Sequence, residues 1–238
     1  MLTDSNGSIQ VTTAQSRREQ TWEVLVFLSL IMPSMALSFL AIRQGTLGFT
    51  VSATAIILRD LSLVALIAFF LWRNGEPASR IGWTMPRKLG TDILLGALLF
   101  VFVLVSSSFV ELAAKAAGLS SPSTSLPGFL SAKGQGQLVL ASVLVAAVAV
   151  TEGTIFRGYL ILRLNVVTGS SGSAVVLSSL IFSVGHGYEG TAGVATVAYM
   201  GLVFALVYLW RKSLVAPIVM HFLQDFAGIV MVPLLGLK

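Results

Sequence analysis

The sequence contains no cysteine and very little charge. None of its 238 residues is Cys, only 11% are Asp, Glu, Lys or Arg, and 55% are hydrophobic. The lack of cysteine excludes disulfides, thiol catalysis and cysteine metal sites. Because a soluble domain typically carries about 25% charged residues, the scarcity of charge predicts an integral membrane protein surrounded by the lipid bilayer.

The short alternating segments of a membrane β-barrel are also missing, since the apolar residues form long continuous runs. An open sheet is excluded because lipid cannot satisfy its backbone hydrogen bonds. A helix needs about 20 apolar residues to cross a hydrocarbon core about 30 Å thick. The runs predict seven such helices, at residues 24–42, 51–72, 93–110, 138–163, 173–186, 191–210 and 214–235. The predicted fold class is therefore an all-α polytopic membrane helix bundle, with an eighth element only if the segment around Arg59 and Asp60 forms a split or re-entrant helix.

The chain is predicted to form one membrane domain in three parts. Residues 1–22 are a polar N-terminal arm, residues 23–137 contain the first membrane helices and their loops, and residues 138–238 form the core. The arm has no apolar centre, so no cleavable signal peptide is predicted. We expect it to be disordered or to lie on the membrane surface.

The basic residues that give the net charge of +5 lie mainly between the apolar runs. This placement is typical of residues that set topology under the positive-inside rule, and it argues against nucleic-acid binding. With the N-terminus in the cytoplasm, nine lie inside: Arg17, Arg18, Arg73, Arg80, Arg87, Lys88, Arg163, Arg211 and Lys212. Four lie outside: Arg43, Lys115, Lys133 and Lys238. We predict a multi-pass protein of the plasma or inner membrane with a cytoplasmic N-terminus; the sequence predicts no oligomeric state.

A small set of ionisable side chains falls inside or beside the predicted spans. A charge at the centre of a membrane helix costs at least about 2.5 kcal/mol and by default marks function. The set is Arg59, Asp60, Glu152, Arg157, His186, Glu189, His221 and Asp225. Both histidines of the protein belong to it. One membrane histidine alone is often only a helix–helix hydrogen bond, but their joint arrangement favours a site.

Three of these residues are predicted to lie at one depth. Glu152 and His186 are equally distant along the chain from Gly169, which lies in the predicted turn "TGSSG". At about 1.5 Å of rise per residue they should sit at the same height. His221 lies nine residues beyond Lys212, or about 14 Å into the membrane. We therefore expect three helices to bring these groups together in one layer displaced toward the cytoplasm.

Spacing within the helices predicts which side chains share a face. His221 and Asp225 are four residues apart, as are Phe182 and His186, and residues four apart lie on one face of an α-helix. The phenyl ring of Phe182 is therefore expected to form a wall beside the histidine and to support the site.

Glu152 and Arg157 are five residues apart, which is about 140° around an ideal α-helix. They need not pair directly, so Arg157 either braces a neighbouring helix or carbonyl or forms an ordinary structural salt bridge. Gly158 follows it and permits close packing. Arg59 and Asp60 are expected to be a self-compensating pair or a helix end.

This set of residues suits hydrolysis of an acyl bond. A carboxylate with a histidine can activate water as a general base, and a second histidine with a hydrogen-bonding side chain can stabilise the oxyanion of a tetrahedral intermediate. Alternatively, Glu152, His186 and His221 could bind Zn²⁺ and leave a water position open. No serine has an obvious role as nucleophile.

The motifs at these positions resemble those of the CPBP family, the CAAX proteases and bacteriocin-processing intramembrane endopeptidases also called the Abi family. The family motif EExxxR is similar to "EGTIFR" at 152–157, FxxxH to "FSVGH" at 182–186, and Hxxx(N/D) to "HFLQD" at 221–225. The resemblance covers residues 138 to about 230. Three motifs in order on three successive polar-bearing helices are a strong signal, whereas one alone would be weak.

The resemblance implies an intramembrane endopeptidase that hydrolyses a peptide bond in a peptide or membrane-protein substrate. Glu152 and His186 would activate the water, His221 and Asp225 would stabilise the oxyanion, and Arg157 would support the site. It implies a glutamate mechanism without a cofactor, with zinc dependence as the second choice.

The sequence departs from the family pattern at two positions. Gly153 replaces the second glutamate of the first motif, which removes a carboxylate that could serve as a ligand or as a partner for Arg157. Asp225 stands where many members carry asparagine. An ionised Asp225 would repel an oxyanion, so it would have to be protonated, compensated by His221 or bound to a metal.

Two functions other than proteolysis stay open. A non-enzymatic membrane protein of the same fold, such as a bacteriocin-immunity or scaffold protein, is favoured by Gly153. A proton- or ion-coupled transporter would also use membrane carboxylates and histidines. It is disfavoured because the polar groups cluster in the last four helices without a visible inverted repeat.

Overall fold

A computed structural model describes residues 16–44, 48–85, 88–121 and 127–236. The helices are α1 (Arg17–Gln44), α2 (Phe49–Arg73), α3 (Leu89–Ala116), α4 (Gly134–Glu152), α5 (Ile161–Thr168), α6 (Ser171–Val184), α7 (Gly190–Arg211), α8 (Val215–Asp225) and α9 (Val232–Leu234). A π-helix, Gly153–Leu160, joins α4 to α5, and a second, Phe226–Met231, joins α8 to α9. Short 3₁₀ turns lie at Ala78–Ile81, Gly128–Leu130 and Gly187–Glu189.

The apolar runs of the sequence form the helices, and the predicted all-α membrane helix bundle is confirmed, with seven apolar helices in the described part of the chain, of which six have spanning length. Six of the helical stretches that the structure describes are long and apolar enough to cross a membrane, and α6 is a shorter apolar helix. The described residues include no strand. Helix α2 continues unbroken past Arg59, so the expectation of an eighth element or a helix end there is wrong.

The polar arm predicted at residues 1–22 is described only in part. Residues 1–15 lie outside the described residues, and α1 begins at Arg17. The last residues of the predicted arm are therefore helical and continue directly into the first span.

The first three helices pack on the rest of the chain. Helix α3 lies against α7 and α8, α2 against α4, and α1 against α5. Side chains such as Phe27, Ile67 and Tyr159 are buried where these helices meet. Large apolar side chains such as Leu98 and Phe102 are exposed on the outside. Helices that are apolar on the outside as well as the inside are typical of a bundle surrounded by lipid.

One end of the bundle is held together by buried polar contacts; we call it the basic end. Arg163 is fully buried, with its Nε 3.0 Å from Glu23 of α1, and it also bonds to Glu76. The Nδ2 of Asn74 donates to Glu23 at 2.7 Å. Arg163 was predicted as a free topology-setting charge, but its position between two carboxylates makes it a structural ion pair that joins α1, α5 and the end of α2.

Loops close the same end. The backbone N–H of Leu214 donates to the carbonyl of Gly82 at 3.1 Å, and the Thr84 hydroxyl donates to the carbonyl of Lys212 at 3.3 Å. Arg211 pairs with Asp92 at the start of α3. The predicted inside cations that the structure describes therefore all lie at this end. Arg87, Lys238 and the side chain of Arg43 lie outside the described residues and side chains.

The opposite end, which we call the open end, has fewer such contacts. Its loops are joined by the Ser120 N–H, which donates to the Thr191 hydroxyl at 2.9 Å. The rings of Phe129 and Tyr188 also meet edge to face, with centroids 5.7 Å apart. Lys115, near the last turn of α3, lies at this end. Because Asp92 and Lys115 are 23 residues apart on one helix, about 35 Å separates the two ends.

Candidate functional site

A cavity of about 740 Å³ lies between the helices. Its walls include residues of α1, α2, α3, α4, α7 and α8 together with the turn after α6. The ionisable or imidazole side chains among the lining residues are Arg59, Glu111, Lys115, Glu152, His186, Glu189, His221 and Asp225. A pocket of this size with a few convergent polar groups is typical of a binding or active site.

Glu152 and His221 meet inside this cavity although 69 residues separate them along the chain. The Oε2 atom of Glu152 lies 3.7 Å from Nε2 of His221, and both side chains are largely buried. Glu152 is the last residue of α4, directly before the first π-helix. Single π-helical turns are rare and occur frequently at functional sites.

Asp225 occupies the corresponding position on α8. It is the last residue of that helix, directly before the second π-helix. Its Oδ2 atom lies 3.3 Å from Nε2 of His221, one turn earlier. Nε2 of His221 therefore lies close to two carboxylates, those of Glu152 and Asp225. A hydrogen on this nitrogen would face both carboxyl groups.

His186 follows the short helix α6 and precedes the turn Gly187–Glu189. Its Nδ1 atom is 3.2 Å from the carbonyl oxygen of Phe182. A carbonyl only accepts, so the hydrogen of a neutral imidazole is on Nδ1 and the lone pair is on Nε2. His186 is thereby held as a proton acceptor among the residues that line the cavity.

Phe182 is the common neighbour of the charged and imidazole groups. Its ring centroid lies 4.9 Å from that of His186 and 5.8 Å from that of His221. The guanidinium carbon of Arg157 lies 4.2 Å from the same centroid and 4.9 Å from that of Phe204. The phenyl ring therefore contacts both histidines and covers a buried cation.

Arg157 is buried, and its two terminal nitrogens have no hydrogen-bond partner among the described residues. The 140° separation from Glu152 that was expected for an ideal α-helix does not apply, because the intervening residues form a π-helix. In a π-helix the hydrogen bonds run between residues five apart, which brings such residues nearly into line. Even so, the guanidinium contacts aromatic rings, and no hydrogen bond joins it to Glu152 in the part of the chain described.

The close packing predicted at Gly158 is confirmed. A Cβ atom at this position would lie 2.6 Å from the backbone carbonyl oxygen of Ile81. The 3₁₀ turn that contains Ile81 therefore rests directly on the π-helix. The indole N–H of Trp83 also donates to the Thr154 hydroxyl at 3.2 Å, so the loop after α2 holds the π-helix at two positions.

The residue that replaces the second motif glutamate is packed against α8. A Cβ atom on Gly153 would lie 3.0 Å from Cγ1 of Ile218. A glutamate at this position would have to displace the isoleucine. The departure from the family pattern is therefore matched by a neighbouring side chain that leaves little room for the missing carboxylate.

Two features of the site were not assigned a role from the sequence. Arg59 lines the cavity while it pairs with Asp60. Glu189 also lines the cavity, in the turn after His186, and the ring of Tyr188 lies 5.8 Å from the imidazole of His186. Their charge could have indicated a role in the site. However, charged residues near predicted span ends are more often solvated, so the sequence does not show that these two line a cavity.

The cavity extends toward the open end, because its walls include Glu111, Lys115 and Ser121. The cations of the basic end, such as Arg163 and Lys212, are not among the lining residues. The sequence predicted both a cytoplasmic basic end and a cavity facing the cytoplasm. The two expectations cannot both hold, because the cavity extends toward the end opposite the predicted cytoplasmic cations.

A zinc ion requires its three protein ligands to converge on one point. His221 approaches Glu152, but the residues described by the structure contain no group of three His, Asp or Glu side chains spaced as metal ligands. The Phe182 ring contacts the imidazoles of both His186 and His221. The three side chains do not fit a zinc site in this conformation, and no step is assigned to a metal.

Residues 134–227 match the family model described as Rce1-like, type II CAAX prenyl endopeptidase. The matched segment begins with α4 and ends just beyond Asp225, so it includes Glu152, His186 and His221. No curated protein and no solved structure matches the chain. This segment is less than half of the chain, and its match supports the similarity to the CPBP family of CAAX-type intramembrane endopeptidases that the three motifs indicate.

Proposed function

We propose that the protein hydrolyses a peptide bond in a peptide or membrane-protein substrate inside the cavity, with a water molecule activated by Glu152 and His186. The observation that carries this proposal is the approach of Glu152, His221 and Asp225, at 3.7 and 3.3 Å, in a cavity that His186 also lines. Polar groups from separate helices are costly to hold in a membrane interior and mark function by default.

The first step is attack of water on the carbonyl carbon of the substrate. The water proton passes to the Glu152 carboxylate or to Nε2 of His186, whose Nδ1 is occupied by the Phe182 carbonyl. A carboxylate and a histidine can share this work as general bases. The same proton is then delivered to the leaving amine when the tetrahedral intermediate collapses.

The oxyanion of that intermediate is stabilised by His221 and Asp225. The Nε2 hydrogen of His221 is the available donor, and Asp225 lies 3.3 Å from this nitrogen. An ionised Asp225 would repel the oxyanion, so its carboxyl has to carry a hydrogen at this step and donate it. Arg157 is buried beside the same rings and places a positive charge near the site.

The proposal is tested by replacing Glu152 with glutamine, which keeps the shape but removes the base. We expect Glu152→Gln to lower the cleavage of a peptide library by the purified protein about 10²- to 10⁴-fold. Glu111→Gln is the matched control, because Glu111 lines the same cavity but is paired with Lys115 at 2.6 Å. Unchanged cleavage by Glu152→Gln, with both variants folded, would contradict the role of Glu152.

Metal dependence is tested on the same preparation. We propose that no cofactor takes part, so chelation should leave the cleavage rate unchanged and metal analysis should find no stoichiometric zinc. One zinc per chain, lost together with activity on chelation, would overturn this part of the proposal in favour of zinc bound by Glu152, His186 and His221.

We also propose that the basic end faces the cytoplasm of a plasma or inner membrane, so that the cavity opens on the opposite side. The cations Arg17, Arg80 and Lys212 lie at one end and support this orientation under the positive-inside rule. The chain has no cysteine, so single cysteines can be labelled without background. In intact cells, Lys115→Cys should react with an impermeant maleimide and Lys212→Cys should not; the reverse pattern would invert the orientation.

A second candidate is a non-enzymatic immunity or scaffold protein of the same fold. It is favoured by Gly153, where the family carboxylate is missing and Ile218 occupies the adjacent space. Such a protein would keep its cellular phenotype in a Glu152→Gln strain, whereas the phenotype of a protease would be lost.

A further inference from the structure

Arg59 is a cation at the middle of a membrane-spanning helix. It lies ten residues after the start of α2 and fourteen before its end, or about 15 Å from the open-end terminus. Its side chain is 39% exposed and lines the same cavity as Glu152, His186 and Asp225. A charged side chain at this depth is costly and by default marks function.

Asp60 holds the Arg59 guanidinium in position. The Nε and one terminal nitrogen of Arg59 lie 2.8 and 2.7 Å from the same Asp60 oxygen. The other oxygen of Asp60, which is buried, accepts from the Thr151 hydroxyl at 3.2 Å. Thr151 directly precedes Glu152. The orientation of Arg59 is therefore fixed relative to the proposed general base.

One edge of the Arg59 guanidinium has a partner and the other does not. Nε and one terminal nitrogen face Asp60. A guanidinium carries five N–H donors and can present a second pair of parallel donors at its tip. Among the described residues, no acceptor other than Asp60 bonds to Arg59. The geometry leaves the tip available to a planar, two-oxygen acceptor.

The rest of the cavity is mainly acidic. Its lining carries the carboxyls of Glu111, Glu152, Glu189 and Asp225. Among the described lining residues the other cation is Lys115, which is paired with Glu111 at 2.6 Å near the mouth. Among the described lining residues, the deep cation that an anionic group in the cavity can reach is therefore Arg59.

We propose that Arg59 binds a carboxylate of the substrate and thereby selects which peptides are cut. This inference rests on the proposed peptidase function and names a specificity residue for it. The carboxylate is supplied either by a free C-terminus or by an Asp or Glu side chain, and both present the two coplanar oxygens that a guanidinium binds in a bidentate way.

The test compares peptides that differ only in their carboxylates. A cleaved peptide is prepared with a free C-terminus, with a C-terminal amide, and with each acidic side chain changed to its amide. The wild type should cleave the carboxylate form about 10- to 100-fold better than the form that lacks the bound group, mainly through KM. The amide substitution that lowers cleavage in this way shows whether the bound carboxylate is the C-terminus or an acidic side chain.

Arg59→Gln should lower cleavage of the carboxylate peptide more than cleavage of the amide peptide, and so remove the preference. Arg59→Lys should restore only part of it, because an ammonium is a point charge without a fork. Lys115→Gln is the control cation and should keep the preference. The proposal would be overturned if Arg59→Gln lowered the cleavage of the carboxylate and amide peptides by the same factor. It would also be overturned if the wild type cleaved both peptides equally well.

Binding separates this proposal from the peptidase function. Peptide affinity is measured by fluorescence anisotropy on Glu152→Gln, with and without Arg59→Lys, in detergent. A preference for carboxylate peptides that depends on Arg59 supports the binding site at Arg59, even if no preparation cleaves peptide. Cleavage without such a preference refutes the binding site and leaves the peptidase function standing. Arg59→Lys keeps a positive charge beside Asp60. The binding measurement therefore does not depend on Arg59→Gln, which leaves Asp60 without this cation.

Discussion

The two ends of the bundle use buried polar groups in opposite ways. At the basic end, Arg163 lies between Glu23 and Glu76, and loops are fastened over the helix termini. Toward the open end, Glu152, His221 and Asp225 surround a cavity of about 740 Å³. Polar groups that are paired with one another hold the helices in position. Polar groups that line the cavity and keep free hydrogen-bonding atoms can bind a ligand.

This contrast explains how a chain with so few charged residues supports a site. Each charge in a membrane interior is costly, so few can be maintained. The basic end concentrates the paired charges, and the π-helix after Glu152 is clamped there by Ile81 and Trp83. The open end can then leave space between helices without losing the alignment of the site.

The largest effect on this comparison is expected from Arg163→Met. Removal of the cation leaves the carboxylates of Glu23 and Glu76 without the charge that lies between them, although Asn74 still donates to Glu23 and Arg80 still pairs with Glu76. We expect a destabilisation of about 3–5 kcal/mol. The measurement is the unfolding midpoint in detergent. Lys115→Met is the matched control at the open end, because its pair with Glu111 is exposed and such pairs contribute about 0–1 kcal/mol. Equal effects of the two variants would remove the distinction between the ends.

A smaller loss is expected from Gly158→Ala. The added methyl group would lie 2.6 Å from the backbone oxygen of Ile81, and a backbone carbonyl cannot move aside as a side chain can. Overpacking of this kind costs about 1–3 kcal/mol, measured again as a shift of the unfolding midpoint. Gly136→Ala on α4 meets nothing within 4 Å and should be neutral or slightly stabilising. A neutral Gly158→Ala would show that the clamp on the π-helix is loose.

The smallest effect is expected from Gly187→Ala at the open end. A Cβ atom there would overlap the ring of Phe39, but this side chain is 43% exposed and can rotate outward. We expect less than about 1 kcal/mol of destabilisation, since rearranging one exposed rotamer costs about that much. The same thermal measurement decides it. A loss as large as that of Gly158→Ala would mean that the open end is packed as rigidly as the basic end.

The spans and the motif-bearing helices could be predicted from the sequence because they depend on local composition. Runs of apolar residues produce the helices, and four-residue spacing brings His221 to 3.3 Å from Asp225. The convergence of Glu152 with His221 followed from counting residues between loops, because rise per residue is nearly constant in helices.

Other features depend on contacts between residues far apart in the chain. Arg163 has the same local signature as a topology-setting cation, and only its distant partners Glu23 and Glu76 make it a buried ion pair. The direction of the cavity could not be deduced, because it depends on which loops cover the bundle. Arg59 looked self-compensated by Asp60, and its access to the cavity depends on how α2 is rotated against α4.

The π-helix between Glu152 and Arg163 also determines how α4 is rotated about the helix axis relative to α5. Glu152 faces His221 at one end of the span, while Arg163 faces Glu23 at the other. Each residue deleted from a helix turns everything beyond it by about 100°. A chain one residue shorter at 153–160 could therefore keep either the Glu152 carboxylate beside His221 or the Arg163 ion pair in place, but not both. The length of the π-helix therefore fixes how the residues before it are rotated relative to those after it. A comparison of motif spacings with a relative has to include the number of residues in this π-helix.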